Sequence, residues 1–305
     1  MTENGIATPP GGGGKHRKRK FAVRAAIVFL LLVGGVVAAM AYENYLDHRD
    51  PWTTYDPNLP KWANRLAEKI ARDPGYKAKR DVDLSDMVLI PAGPAIVGCQ
   101  DPCPDDHLPR QVVDIPAFYI DRLPVTIAQY KQCVAEKMCL PLLNNDDIDN
   151  FALPDAPATL DFHQAERYCR RQGKRLPREF EWEKAARGTD GRRYPWGNQP
   201  PDSTRGNICD VNCTFSWADQ SINDGYKHFA PVGSFPAGAS PYGLLDAEGN
   251  IKEWVDGERA PGVEAIAKGS SWYSPPLQMA VYTRQQWRPG VRTDDKGVRC
   301  AFSKP

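Results

Sequence analysis

The sequence predicts an α+β domain rich in loops that follows one N-terminal transmembrane helix. The 305 residues include 25 glycines and 28 prolines, too many for a helical bundle. A hydrophobic fraction of 41%, with 8 tryptophans, 12 tyrosines and 10 phenylalanines, is enough for a packed core. An apolar run without charges precedes this domain.

The N-terminal region predicts the topology. Residues 25–42 read AAIVFLLLVGGVVAAMAY, and a helix of this length spans about 27 Å, close to the ~30 Å hydrocarbon core of a bilayer. Residues 1–24 form a basic cytosolic tail, so residues 25–42 are expected to be a signal anchor with the domain in the periplasm or outside the cell. The alternative is a secreted or periplasmic protein, cleaved after Ala41 at a small-x-small site.

Charge is unevenly distributed along the chain. The net charge is +1, and the tail, residues 1–24, carries six basic residues and one glutamate. The remaining residues are therefore mildly acidic. They offer no broad positive field for phosphate groups, which argues against nucleic acid as a partner.

The chain after the membrane segment divides into a spacer and a folded domain. Residues 43–85 are polar and contain several prolines, and they predict a spacer with a short helix over Lys61–Arg72, where apolar residues recur every four positions. The stretch Met87–Gly98, MVLIPAGPAIVG, alternates around a Pro-Ala-Gly turn and predicts a pair of strands.

Helix start and stop signals predict three helices in the domain. The capping box Thr126-Ile127-Ala128-Gln129 begins the first, which should end near Lys137. A second fits Asp161–Arg171, and a third starts near Pro177 and ends near Arg187. The eight cysteines are an even number, and in a chain that leaves the cytosol they predict four disulfides.

Seven motifs then occur in order. They are MVLIPAGPAIVG, FYIDRLPVTIAQYKQCV, ERYCRRQGKRLPREFEWEKAARG, RRYPWGN, PVGSFPAGASPYGLLDAEGNIKEWVDG, KGSSWYS and GVRCAF. In this order and spacing, residues 86–303 resemble the formylglycine-generating enzyme (sulfatase-modifying factor) family. The resemblance implies that residues 86–303 are one domain with the family's C-type-lectin-like α+β fold, which has little regular secondary structure.

The resemblance also implies a disulfide between Cys169 and Cys300. The other six cysteines fall into close pairs, Cys99–Cys103, Cys133–Cys139 and Cys209–Cys213. Zinc held by the two C-x3-C pairs is the alternative, but no histidine lies at ligand spacing and an oxidising compartment favours disulfides.

The resemblance implies up to two structural calcium sites. The first would use the side chains of Asn207 and Asp224 with the backbone carbonyls of Ile208 and Tyr226, and oxygen ligands suit this hard cation. The second would use Asn250 and Glu253. The alternative is that these side chains only connect loops by hydrogen bonds.

The residues for the family's chemistry are replaced. Family enzymes oxidise a peptide-bound cysteine with copper(I) held by two cysteine thiolates, soft ligands that suit this ion. In GSSWYSPPLQM the two positions are Ser274 and Met279, so no copper is expected. The degenerate site comprises Ser271, Trp272, Ser274 and Met279, with Ser271 expected to bond nearby backbone.

The first hypothesis is therefore a pseudoenzyme that acts as an accessory or sensor module. It would bind an extracytoplasmic protein or peptide in the former substrate groove, through aromatic and basic residues that could equally be packing residues: Trp272, Tyr273, Tyr282, Arg284 and Trp287. The second hypothesis is a periplasmic oxidoreductase with a different centre, and the third is formylglycine generation on sulfatases.

Overall fold

Short strands and helices alternate with long loops in the computed structural model, which describes residues 81–99, 107–142, 153–257, 265–288, 290 and 293–303. All of these residues lie in one compact unit, Trp52–Pro305. The strands and helices of the described residues are, in chain order, β1 (Met87–Ile90), β2 (Gly93–Val97), β3 (Gln111–Ile115), β4 (Phe118–Asp121), α1 (Ile127–Ala135), α2 (Phe162–Arg171), α3 (Glu179–Arg187), β5 (Lys252–Val255), β6 (Ala265–Lys268), β7 (Arg284–Trp287), β8 (Lys296–Gly297) and β9 (Ala301–Phe302).

The strands form three small sheets. One has the order β1-β4-β9, a second pairs β2 with β3, and the third has the order β7-β6-β5-β8. All pairs are antiparallel except β5 with β8. The sequence correctly predicts two strands over Met87–Gly98, but they do not pair with each other, because β1 pairs with β4 and β2 with β3.

The three predicted helices are present, and their caps explain where they begin. Thr126 Oγ1 accepts a hydrogen bond from the Gln129 backbone, and Gln129 Oε1 accepts one from the Thr126 backbone at 2.9 Å. Asp161 and Gln164 form the same reciprocal pair at the start of α2. Each pair satisfies two backbone amides that a helix start otherwise leaves without partners.

Helix α3 begins without a side-chain cap from Arg178. Instead, the Glu181 carboxylate accepts a hydrogen bond from the Arg178 backbone at 2.8 Å and is held by Arg175 at 2.6 Å. Glu179 and Glu181 also place negative charge in the first turn, where it stabilises the positive end of the helix dipole.

A buried ion pair connects the centre of the fold. Arg299 donates to both oxygens of Glu253, at 2.6 and 2.7 Å, and Trp182 donates to the same carboxylate at 2.6 Å. Arg299 also donates to the carbonyls of Arg122 and Leu245. These bonds join β5, α3 and the segment before β9 at the edge of the apolar core that packs around Trp182 and Trp254.

Three predicted disulfides are confirmed: Cys133–Cys139, Cys169–Cys300 and Cys209–Cys213. The zinc alternative fails for the last pair, because its sulfurs are bonded to each other. Cys99 is disulfide-bonded, and its expected partner Cys103 lies outside the described residues.

Residues 1–80 lie outside the described residues. They include the tail 1–24, the apolar segment 25–42 and the expected helix over Lys61–Arg72. Among the described residues, no helix is both long enough and apolar enough to cross a bilayer.

Candidate functional site

The first position expected to hold copper carries a buried alcohol. Ser274 Oγ accepts a hydrogen bond from the Ser271 backbone at 3.0 Å and lies 3.3 Å from Ser271 Oγ. Both serines are buried. Among the described residues, the Ser271 hydroxyl thus contacts the Ser274 hydroxyl and not the backbone, which differs from the expectation from sequence. A disulfide-closed loop also contacts this position, because Cys209 donates to the Ser274 carbonyl at 3.2 Å.

The second position carries an enclosed thioether. Met279 is fully buried and packs with Tyr194 and Ile208, with Trp196 against the same cluster. Its sulfur therefore belongs to an apolar cluster. A thioether is a weak neutral acceptor, so this position supplies no negative ligand.

The acidic group nearest to this serine motif is Glu248. It is fully buried and accepts a hydrogen bond from Ser270 Oγ at 2.6 Å. Burial raises the pKa of Glu248 to about 8, although Ser270 and Lys268 act in the opposite direction. The carboxyl is therefore largely neutral near pH 7.

Aromatic side chains gather beside the degenerate site. Trp272 is only 6% exposed and contacts Tyr273, His228 and Phe229. Trp272 is therefore a core residue. Its indole N–H donates a hydrogen bond to the Asp294 carbonyl. The interpretation of Trp272 as a groove contact is corrected here, because its ring has almost no accessible surface.

Two exposed aromatic residues that were not predicted from the sequence, Phe215 and Trp217, lie beside Trp272 and Tyr273. Phe215 and Trp217 stack with ring centroids 4.7 Å apart and are 39% and 46% exposed. The Trp217 indole donates to the Tyr273 carbonyl at 2.8 Å, and Phe215 contacts Tyr273 at 5.9 Å. We call Phe215, Trp217 and Tyr273 the aromatic platform. The sequence signal for this platform is the presence of two aromatic residues in the short polar stretch after Cys213.

A buried charge cluster underlies Tyr273 and Trp287. Asp295 pairs with Lys252 at 2.7 Å and with Lys296 at 2.6 Å. The Lys252 ammonium lies 4.6 Å from the Tyr273 ring, and that of Lys296 lies 3.8 Å from the Trp287 ring. Burial lowers the pKa of Lys296 to about 8, although Asp295 opposes this shift. The cluster holds both aromatic rings in place by cation–π contacts.

Two other predicted groove residues lie elsewhere. Arg284 is 5% exposed and pairs with Glu179 at the start of α3, at 2.8 Å. Tyr282 is half-buried between His107 and Arg187. Arg284 is therefore an internal ion-pair partner and not a contact residue, since its charge is already neutralised by Glu179.

The residues of the first predicted calcium site fit a cation. The Asn207 side-chain oxygen is buried and, among the described residues, receives no hydrogen bond. The Asp224 carboxylate accepts from the backbone of Ile208 and of Tyr226, at 2.8 and 2.9 Å. Burial, together with neighbouring Asp210, raises the pKa of Asp224 to about 7. An amide oxygen without a hydrogen bond and a carboxylate are both hard oxygen ligands of the kind that calcium takes.

The residues of the second predicted site do not fit a cation. Both oxygens of Glu253 already accept hydrogen bonds from Arg299, and one of them also accepts from Trp182. Asn250 Oδ1 accepts from Asn207 and from the Ala230 backbone, both at 3.0 Å. The Arg299 guanidinium therefore occupies both oxygens of the carboxylate that calcium would need.

Within the described ranges, no three His, Cys, Asp or Glu side chains are placed to share a metal ion. A cation at the first site would therefore depend on amide and backbone oxygens beside Asp224.

A comparison with known proteins identifies the family. A sequence model of the sulfatase-modifying factor enzyme 1-like domain matches residues 73–304. The chain belongs to this family. The names of similar curated proteins indicate different activities. These proteins include the inactive Cα-formylglycine-generating enzyme 2 of Bos taurus, which is 29% identical over 268 residues (70% of this chain and 87% of that protein).

Two bacterial relatives are longer proteins. The uncharacterized protein YfmG of Bacillus subtilis is 32% identical over 269 residues, covering 72% of this chain and 54% of YfmG. The hercynine oxygenase of Mycolicibacterium smegmatis is 29% identical over 210 residues, covering 57% of this chain and 46% of the oxygenase. The chain thus spans about half the length of these two relatives.

Solved structures confirm the predicted fold of the domain, with its mixed helices and sheets. PvdO from Pseudomonas aeruginosa matches with a TM-score of 0.60 and 24% identity, covering 73% of this chain and 97% of PvdO. Variable protein 1 of Treponema denticola matches with a TM-score of 0.53 and 19% identity, covering 71% and 94%. At these identities the likeness concerns the fold alone.

Proposed function

We propose that this family member is a membrane-anchored extracytoplasmic module that binds a protein or peptide and does not generate formylglycine. The observation that carries the proposal is the state of the two positions expected to hold copper. Ser274 is a buried alcohol bonded to Ser271, and Met279 is packed in an apolar cluster.

The proposed loss of copper binding follows from the charge and softness of the ligands. Copper(I) prefers soft sulfur ligands, and a serine hydroxyl is a hard and neutral oxygen. A single thioether in the core supplies neither the negative charge nor the second ligand. This supports a loss of the oxidation step while the fold is retained.

The binding role is supported by the aromatic platform. Phe215 and Trp217 remain exposed although they are large and apolar, and such residues are enriched at protein interfaces. The indole hydrogen bond to Tyr273 and the nearby disulfide Cys209–Cys213 fix the rings in place. A rigid side chain loses little conformational entropy when a partner binds.

The location is supported by two features of the chain. Segment 25–42 is apolar and follows a basic tail, and disulfides are typical of oxidising compartments outside the cytosol. We therefore propose a single-pass anchor with the domain in the periplasm or outside the cell. Calcium at Asn207, Ile208, Asp224 and Tyr226 is part of the proposal, as a structural ion that connects loops.

The absence of catalysis is tested with a peptide that contains the family's CxPxR sequence. The purified protein is incubated with this peptide, copper and oxygen, and the peptide is analysed for aldehyde by mass spectrometry. We expect unmodified cysteine. Aldehyde formation would overturn the proposal, and stoichiometric copper or iron in the purified protein would favour an oxidoreductase with a different centre.

The binding role is tested by crosslinking in the cell envelope, followed by purification of the protein with its partners. Trp217→Ala should abolish recovery of a partner that the parent protein retains. Leu89→Ala is the matched control, because Leu89 is also exposed (52%) but lies on β1. Equal recovery of the partner with Trp217→Ala would contradict binding at the platform.

A further inference from the structure

A cavity lies outside the degenerate site. It has a volume of about 440 Å³ and lies among the segment before β1, the turn after β4, and helices α1 and α2. Its lining includes Cys133 and Cys300, one cysteine from each of two disulfides. The Cys169–Cys300 disulfide joins the Cys300 wall to helix α2, so two walls of the cavity are covalently connected.

The lining of this cavity carries more acidic than basic side chains. The acidic residues are Asp83, Asp86, Asp121 and Glu136, and the basic residues are Arg122 and Lys174. Lys174 is already paired with Asp121 at 2.6 Å. Burial nevertheless raises the pKa of Asp121 above its ordinary value, although Lys174 opposes the shift. The surroundings of Asp121 therefore still disfavour the negative charge of its carboxylate.

Glu136 has one oxygen that is available to a ligand. Its Oε1 accepts a hydrogen bond from Gln132 at 3.1 Å. Among the described residues, no donor bonds to its other oxygen, and Glu136 is exposed and lines the cavity.

The Tyr168 hydroxyl provides the independent sign of a ligand. Tyr168 is 7% exposed, lines the cavity and stacks on Tyr130 with ring centroids 5.7 Å apart. Within the described part of the chain, its hydroxyl has no hydrogen-bond partner. Burial raises the pKa of Tyr168, and the negative charges of Asp121 and Glu136 raise it further. The hydroxyl thus stays neutral, and its oxygen can accept a hydrogen bond from a cationic donor.

Apolar side chains complete the lining. Leu123, Pro124, Val125 and Val232 face the same space, and they suit the aliphatic stem that carries an ammonium or guanidinium group. We propose that this cavity binds an organic cation, a primary ammonium or guanidinium group on an aliphatic stem, with Glu136 and the Tyr168 hydroxyl as its acceptors.

Such a cation could come from two sources. One is a free amine or guanidine. The other is the chain itself, because Lys77, Lys79 and Arg80 precede Asp83 by only three to six residues, within a reach of about 10–20 Å for extended chain. The chemistry of recognition is the same for both sources, so the experiment must separate them.

The probe is N-butylguanidine, and N-butylurea is its neutral control of similar shape. Binding to the detergent-solubilised full chain is measured by titration calorimetry, in the parent and in the triple variant Lys77→Ala/Lys79→Ala/Arg80→Ala. Saturable binding of the cation with at least about tenfold weaker binding of the urea supports the site. Equal affinities in parent and triple variant indicate a free ligand, and tighter binding in the variant indicates that the chain's own side chains compete. The absence of binding in both proteins, or equal binding of the urea, would overturn the proposal.

Single substitutions then locate the bound cation. Glu136→Gln should weaken binding by about tenfold and Tyr168→Phe by a smaller factor, since a charged acceptor contributes more than a neutral one. Glu166→Gln is the matched control, because Glu166 lies on α2 outside this cavity and pairs with exposed Arg170. Circular dichroism verifies that each variant is folded. Unchanged affinity in both Glu136→Gln and Tyr168→Phe would refute this location.

Discussion

The disulfide Cys169–Cys300 should contribute far more to stability than the disulfide Cys209–Cys213. The first joins residues separated by 131 positions, and the second joins residues separated by 4. Both pairs are buried. The two bonds therefore differ chiefly in the length of the loop that each closes.

The difference follows from the entropy of the unfolded chain. In the chain-entropy model, closing a loop of this length with Cys169–Cys300 stabilises the folded state by about 5 kcal/mol, and the short loop gives about 2 kcal/mol. The double variant Cys169→Ala/Cys300→Ala should therefore lose about 3 kcal/mol more than Cys209→Ala/Cys213→Ala.

The assay is urea denaturation followed by tryptophan fluorescence, which gives the free energy of unfolding and the slope m for each variant. Removal of the long-range crosslink should also raise m, because its unfolded state becomes more expanded. Equal losses in the two double variants would refute the reasoning, since they would mean that loop length does not decide the contribution.

Three further outcomes are expected. Glu253→Gln should lower the free energy of unfolding by about 3–5 kcal/mol in urea denaturation, because it leaves the buried Arg299 charge without its partner. Glu166→Gln, at a partly exposed ion pair with Arg170, should lower it by less than about 1 kcal/mol. Burial raises the pKa of Asp295, but Lys252 and Lys296 lower it overall from 3.8 to about 2. The ionised Asp295 therefore contributes about 2 kcal/mol to stability above pH 4, and this contribution is lost as the pH falls towards 2. Acid titration of the Asp295→Asn variant should not show this loss. Calcium should raise the melting temperature of the parent protein and not that of Asp224→Asn, and an equal shift in both would contradict the first calcium site.

The helices and disulfides could be predicted from sequence because their signals are local or belong to the family. The capping box at Thr126 and Gln129 lies within four residues and forms as predicted. Cys169 and Cys300 are far apart in sequence, and their pairing rested on the resemblance to the family. The sequence also shows that Ser274 and Met279 are not cysteines, although their assignment as copper-ligand positions is implied only by the resemblance and stays a prediction.

The remaining features depend on contacts between distant segments. Arg284 was expected in a groove, but it pairs with Glu179, 105 residues away, and such a contact leaves no periodic pattern in the sequence. For the same reason, the sequence indicated strands β1 and β2 but not their partners. Phe215 and Trp217 were missed because exposure of an aromatic ring is decided by the loops around it.

Strand β9 has a consequence for how the protein is made. Tyr119 in β4 pairs with Phe302 in β9, and Arg175 bridges to Ala301. These pairs cannot form before residue 302 has been synthesised and, in an exported chain, has crossed the membrane. A chain that lacks residues 301 and 302 would therefore leave one edge of β4 and the backbone of Arg175 without these pairing partners.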